Sequence, residues 1–441
     1  MVVTRDWSNL ATVVYRRTYS RKDTGPFETW PQTVDRYVGG NVRGMDVPEA
    51  EIQALKQLGY ERKGTPAGRG IWFSGAPAHE RIGGAACNNC YFLTADDWYN
   101  FVRAQDLLML GGGVGLSVEH RFTTQLPKVK KDVNIVHIPS RDADFIVPDS
   151  REGWCELLRR VLESYFITGF SFSYSTVCLR GRGEAIRGFG GKASGPGPLI
   201  GLMSDIAKIL RPRAGKHVRP LDAADLICAT ADMVVSGNVR RSAIIILGDS
   251  FDKEYLKAKR WGLGTIPSWR ANANFSVVCD EIDDLHPLFW KTYEDGEPFG
   301  LMNRKNIQKY GRMGELKEDT AVGINPCAES TLECAEPCNL AEIPLMNLTG
   351  VEEFENAARL LFRYTKRVTM QKYHDPKINE VVKRNRRVGI GITGCLGSPL
   401  FNPQDMDRVY AAIQEEDRIY SKQVGVPESI RTTLCKPSGT I

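Results

Sequence analysis

Apolar residues recur at helical spacing in some stretches of this chain and as short β-branched runs in others, and the two kinds of segment alternate. Helices are predicted at 30–38 and 48–58, within a basic and aromatic first 80 residues that read as a helical lead-in. Residues 90–93 have strand character, and 96–110 form an amphipathic helical pattern that ends at Gly111-Gly112-Gly113. A second strand is predicted at 114–118. Residues 121–152 are charged and loop-like, and 154–166 return to helical periodicity. Further helices are expected at 199–210, 223–235, 352–371 and 405–425, and strands at 242–247, 275–279, 299–302 and 388–392. Strands alternating with helices imply parallel pairing and an α/β fold. No internal repeat and no Gly/Ser linker divides the chain. The simplest organisation is a helical N-terminal region, 1–80, followed by one large α/β unit, 81–441, with an insertion at about 121–175.

Glycine dominates 180–198, RGRGEAIRGFGGKASGPGP. Such a run cannot be regular structure, and ordering it costs backbone entropy. Long ordered loops inside a compact chain are usually functional. The helix expected next begins where an anion could meet its N-terminus.

Composition excludes several classes. With 42% apolar and 25% charged residues the chain is an ordinary globular one. Its 58 basic and 53 acidic side chains leave a formal charge of only +5, too little for a nucleic-acid coat or a polybasic membrane anchor. No apolar run is long enough to span a bilayer. The opening MVVTRDWSNL has no secretory pattern, so a cytoplasmic location is expected.

Eleven cysteines in 441 residues are not a disulfide framework, and an odd number cannot pair completely. Three clusters stand out: Cys87 and Cys90 in ACNNC, Cys327 in NPCAE, and Cys334 and Cys338 in CAEPC. Two have four-cysteine zinc spacing, but about 240 residues separate them, far more than compact zinc modules use. A thioredoxin-like reading of Cys87–Cys90 is weakened because a strand, not a helix N-terminus, follows. In NPCAE a cysteine lies between a proline-stiffened turn and a carboxylate two residues on. That order suits a nucleophile or hydrogen carrier beside a general base. No histidine is near it, so a Cys-His protease gets no local support. A buried structural cysteine with an exposed glutamate is the bland alternative.

Seven segments in one order change that balance: NNCYF from Asn88, GGGVGLS from Gly111, GFGGKASGPGPL from Gly188, SGNVRRSAII from Ser236, NPCAES from Asn325, EPCNL from Glu336 and KPSGT from Lys436. On these the chain resembles ribonucleotide reductases of the adenosylcobalamin-dependent class, most closely the monomeric triphosphate reductases. The resemblance implies a ten-stranded α/β barrel of two parallel five-stranded halves around a central finger loop. It also implies reduction of ribonucleotides to 2′-deoxyribonucleotides by thiyl-radical chemistry, for DNA precursor synthesis. Cys327 matches the radical cysteine on the finger, Glu329 the carboxylate that takes the 3′-hydroxyl proton, and Asn325 the amide that orients the ribose hydroxyls. Cys90 and Cys338 match the pair that supplies two electrons and becomes a disulfide. Cys87 and Cys334 are left as structural residues.

Pro437, Ser438, Gly439 and Thr440 match the substrate-phosphate loop, and Asn88 and Asn89 lie beside the same expected pocket. The glycine-rich run and the segment from Gly237 match two loops of a deoxynucleotide-triphosphate specificity site, with Arg187, Lys192, Gly237, Asn238, Arg240 and Arg241 as candidate contacts. Implied companions are adenosylcobalamin, an external dithiol reductant of thioredoxin type and a deoxynucleotide triphosphate effector, with no metal site of its own. A monomer is expected, with no nucleic-acid or membrane partner. The family continues beyond Ser-Gly-Thr, so the last C-terminal part and its cysteine tail are expected to be lacking. No ATP cone is found at the N-terminus, so specificity control alone is expected. Two alternatives stand beside this reading: a class I-type large subunit served by a separate radical-generating protein, and a non-catalytic nucleotide-binding remnant.

Overall fold

The computed structural model describes residues 7–22, 26–186, 192–235, 243–260, 262, 266–310 and 318–436. Five strands run parallel in chain order: β1 (Cys90–Thr94), β2 (Gly113–Ser117), β3 (Ile244–Asp249), β4 (Ala273–Cys279) and β5 (Gly300–Asn303). Each lies where the sequence predicts a strand, within two residues at either end. Their alternation sorts two faces. Tyr91, Leu93, Val114, Leu116, Ile244 and Ile246 point outward into the largest apolar core, together with the helices Tyr99–Met109, Gly197–Leu210 and Pro220–Val235. Cys90, Phe92, Ile245, Leu247, Val278 and Met302 point inward to a second cluster. Both faces are therefore covered, as parallel sheets require.

The inner face receives a hairpin, β6 (Gly323–Ile324) paired antiparallel with β7 (Thr331–Leu332). Glycines permit its approach. A Cβ on Gly115 would lie 2.2 Å from the Ile324 carbonyl oxygen, and one on Gly323 would lie 1.9 Å from the Phe92 ring. Next, β8 (Glu336–Pro337) pairs antiparallel with β1 at the sheet edge. A second parallel set begins with β9 (Leu340–Pro344) and β10 (Gly389–Thr393), to which Thr433 bridges through Ile390. One five-stranded parallel half and the inserted finger are thus seen. Among the described residues the second set comprises β9, β10 and that bridge, with the two-residue strand Thr65–Pro66 antiparallel to β9, and the strand pairings do not trace a closed barrel.

The N-terminal helices Trp30–Val42 and Glu49–Tyr60 pack on the long helix Val351–Met370, where Tyr364 and Val368 join Val34, Tyr37, Val38 and Leu55. The stretch 121–152, expected to be loop, contains two short strands, Ile135–His137 and Phe145–Ile146, which flank Phe172–Ser175 in a small parallel sheet. Segments of two or three residues carry no readable alternation. No helix among the described residues is long and apolar enough to cross a membrane.

Candidate active site

The hairpin tip, Asn325–Ser330, is closed by its own backbone and one side chain. The Asn325 N–H donates to the Ser330 carbonyl (3.2 Å), the Ala328 N–H to the Asn325 carbonyl (2.8 Å), and the Ser330 N–H to Asn325 Oδ1 (3.1 Å). Ala328 takes a left-handed conformation, φ +61°. This turn leaves Cys327 and Ala328 exposed while Asn325 and Pro326 are buried. Behind the tip, β8 and β1 place two more cysteines side by side. The Cys338 N–H donates to the Cys90 carbonyl (2.9 Å) and the Cys90 N–H donates to Cys338 Sγ (3.1 Å). Both residues are buried. Three cysteines from two distant parts of the sequence therefore converge.

The thiols of Cys327 and Cys90 are close enough to interact, and this interaction, aided by partial desolvation of the sulfur, pushes the Cys327 pKa far above the ordinary thiol range. Cys90 feels the same interaction as a downward pull. Its bond to Cys338 and its burial outweigh that pull, so its pKa also ends well above the usual value. At neutral pH both carry S–H, the form from which a hydrogen atom can be taken or given.

Two buried atoms at the tip have no hydrogen-bond partner among the described residues, Asn325 Nδ2 and Glu329 Oε2. Buried polar atoms are normally satisfied, and ligand hydroxyls would satisfy these. A further carboxylate joins them. Glu342 lies in β9 on the same side as the inward Leu340, is fully buried, pairs through Oε2 with Lys436 Nζ (3.1 Å) and has no partner for Oε1 among the described residues. Lys436 is close enough to act electrostatically on Cys327, where it lowers the thiol pKa against the larger raising effects. Glu342 lies outside every motif read from the sequence. A lone acid in the apolar strand LAEIP was the available signal.

Of the remaining expected residues, Asn88 is buried, and its amide bonds the Cys338 carbonyl and the Tyr373 hydroxyl. Asn89 Oδ1 accepts from the Arg69 N–H (3.3 Å). Lys192 bridges to Ala185 across the glycine-rich run and lines a cavity with Arg151, Trp154, Arg180 and Ser194. Arg187, Gly237, Asn238, Arg240, Arg241, Pro437, Ser438, Gly439 and Thr440 lie outside the described residues. Cys87 belongs to the N-terminal apolar cluster, and burial raises its pKa to about 12.

A parallel sheet with a cysteine-tipped hairpin and a buried thiol pair behind it defines a site for thiol-based redox chemistry. Comparison with known proteins narrows the class. Residues 123–210 match the family described as "B12-dependent ribonucleotide reductase, insertion domain", residues 271–402 the ribonucleotide reductase barrel domain, and residues 2–76 the ribonucleotide reductase alpha domain. The adenosylcobalamin-dependent ribonucleoside-triphosphate reductase of Lactobacillus gasseri is 30% identical, over 100% of this chain and 72% of that protein. That of Lactobacillus leichmannii is 30% identical over 99% and 72%. A crystal structure of a B12-dependent (class II) ribonucleotide reductase superposes with a TM-score of 0.86 at 29% identity, covering 98% of this chain and 73% of the other. The chain belongs to the adenosylcobalamin-dependent ribonucleoside-triphosphate reductase family. A class Id alpha subunit from Actinobacillus ureae, at 12% identity and a TM-score of 0.58, shares the fold alone.

Proposed function

We propose that this chain reduces ribonucleoside triphosphates to 2′-deoxyribonucleoside triphosphates with adenosylcobalamin, using Cys327 as hydrogen carrier and Cys90 and Cys338 as the reducing pair. The observation that carries the reading is the convergence of these three cysteines with Asn325 Nδ2 and Glu329 Oε2, two buried atoms without a partner among the described residues. The cofactor fits the exposure pattern. Cys327 and Ala328 are exposed while Cys90 and Cys338 are buried, so the tip at Cys327-Ala328 is the part of the site a bulky group can face. When bound, adenosylcobalamin supplies the one-electron oxidation that removes hydrogen from the Cys327 thiol.

The Cys327 sulfur then takes the ribose 3′-hydrogen, and Glu329 holds the 3′-hydroxyl proton. Asn325 orients the hydroxyls. The 2′-C–O bond breaks and the hydroxyl leaves as water. Cys90 and Cys338 supply two electrons, the proton that leaves with the water and the hydrogen placed at C2′, and they end as a disulfide. Cys327 returns its hydrogen to C3′. The sum is ribonucleotide plus dithiol giving deoxyribonucleotide, disulfide and water. Burial of Cys90 and Cys338 keeps water from the intermediates.

An external thioredoxin-like dithiol restores the pair by exchange. The cavity at Lys192 and Arg151 takes a deoxynucleotide triphosphate effector, whose phosphates suit the cations there. Product formation from CTP with adenosylcobalamin and dithiothreitol, abolished in Cys327→Ala, is the expected result. Effector binding without turnover would overturn the catalytic reading and favour a nucleotide-binding role.

A further inference from the structure

Asn88 precedes the redox cysteine Cys90 by two residues, yet its side chain does not reach open space. It is 1% exposed. Its Nδ2 donates to the Cys338 carbonyl (3.0 Å), and its Oδ1 accepts from the Tyr373 hydroxyl (2.8 Å). The other polar atom of the Cys338 backbone, its N–H, is bound to the Cys90 carbonyl (2.9 Å). Residue 338 is therefore gripped at both its N–H and its C=O, one through β1 and one through Asn88.

Tyr373 is held in turn. It bridges to Gly83, and the Gly84 N–H donates to the Lys372 carbonyl (3.1 Å). A Cβ on Gly83 would lie 1.7 Å from the Lys372 carbonyl oxygen, and one on Gly84 would lie 2.6 Å from the Tyr373 ring. Gly83-Gly84 thus admits a tyrosine from a segment nearly 300 residues away. Burial keeps the Tyr373 hydroxyl protonated and so a donor.

We propose that Asn88 and Tyr373 are positioning residues for the Cys90–Cys338 pair, acting on the thiol–disulfide half of the cycle and not on nucleotide binding. The inference rests on the site reading above. A disulfide needs a narrow range of Cα and Cβ separations. A clamp on the Cys338 carbonyl sets how readily its sulfur meets that of Cys90, and hence the balance between dithiol and disulfide.

The test is Tyr373→Phe in the full chain, which removes one oxygen and keeps the packed ring. The Cys90–Cys338 disulfide is titrated in thiol–disulfide buffers and read by differential alkylation and mass spectrometry. The expected result is a shift of about tenfold in the equilibrium constant, ~30 mV for a two-electron couple. Steady-state kcat with dithiothreitol falls, while KM for nucleotide and the product yield of one turnover by prereduced enzyme stay unchanged. Asn88→Asp keeps the acceptor for Tyr373 but loses the donor to Cys338; its potential shifts as well, and it serves if Tyr373→Phe does not fold. An unchanged potential in the folded variant, or a raised KM at unchanged potential, overturns the proposal. A wild-type chain that turns over nothing and forms no Cys90–Cys338 disulfide overturns the site reading itself, and this inference with it.

Discussion

At the residue scale the site depends on thiols kept neutral. Cys327 ionises far above the ordinary thiol value because its interaction with the Cys90 thiol, and second the partial desolvation of its sulfur, favour S–H. The thiolate is the alkylating species. Labelling of Cys327 by iodoacetamide should therefore rise about tenfold per pH unit through pH 9, past the free-thiol pKa of about 8.5, with no plateau. A plateau near pH 8.5, read by peptide mass spectrometry, would show an unperturbed thiol. Stability follows the same sign. The unfolded chain releases these protons near their ordinary pKa while the folded chain holds them, so their contribution is intact below about pH 8.5 and is lost as pH rises further. Glu329 gives the complementary prediction. Glu329→Gln preserves shape and removes the base, and kcat should fall by roughly 10²–10⁴-fold at an unchanged fold. Cys327, Glu329 and Asn325 were legible because a motif holds them within five residues. Glu342 was not, since what marks it is burial beside Lys436, and burial is a property of the packed strand.

Elements position these residues by close approach. Two of the three inward positions of β2 are Gly113 and Gly115, and the hairpin lies directly on them; a Cβ at Gly113 would meet Cys90 Sγ and Pro326 Cγ, each at 3.1 Å. Gly115→Ala forces the Ile324 backbone away, at a cost of about 1–3 kcal/mol for an overpacked core. The displaced hairpin carries Cys327 with it. The expected outcome is a folded protein with a modest drop in denaturation midpoint and a much larger loss of turnover, measured side by side. Proportional losses would mean that Gly115 serves packing alone. The strands themselves were readable from alternation and β-branching. The finger was less so: β6 and β7 have two residues each and gain their place from the glycines of β1's neighbour, a tertiary fit that local periodicity does not encode.

Across the whole molecule the helix Val351–Met370 acts as a beam. Three consecutive residues near its end reach three separate parts. The Thr365 carbonyl accepts from Asn339 Nδ2 (2.8 Å), the residue after Cys338. Lys366 is fully buried against Asp417 (2.7 Å) on the helix Pro403–Val424. Arg367 is fully buried against Glu51 (2.6 Å) and Asn41 (2.8 Å) on the N-terminal helices. Removing one member of a buried ion pair strands the other charge, which typically costs 3–5 kcal/mol. Arg367→Ala leaves Glu51 in that position, although Arg363 still reaches it at 2.8 Å and limits the loss to about 3 kcal/mol. Because the same helix ties the N-terminal region to the segment between β8 and β9 that bears Cys338, the two should unfold together. In urea, exposure of Cys338 to a thiol reagent and loss of the near-ultraviolet signal of Trp30 and Tyr37 should share one midpoint, and Arg367→Ala should lower both equally. Separate midpoints, with the N-terminal signal lost first, would show that the helical region is a detachable unit and that the beam does not couple it to the redox pair.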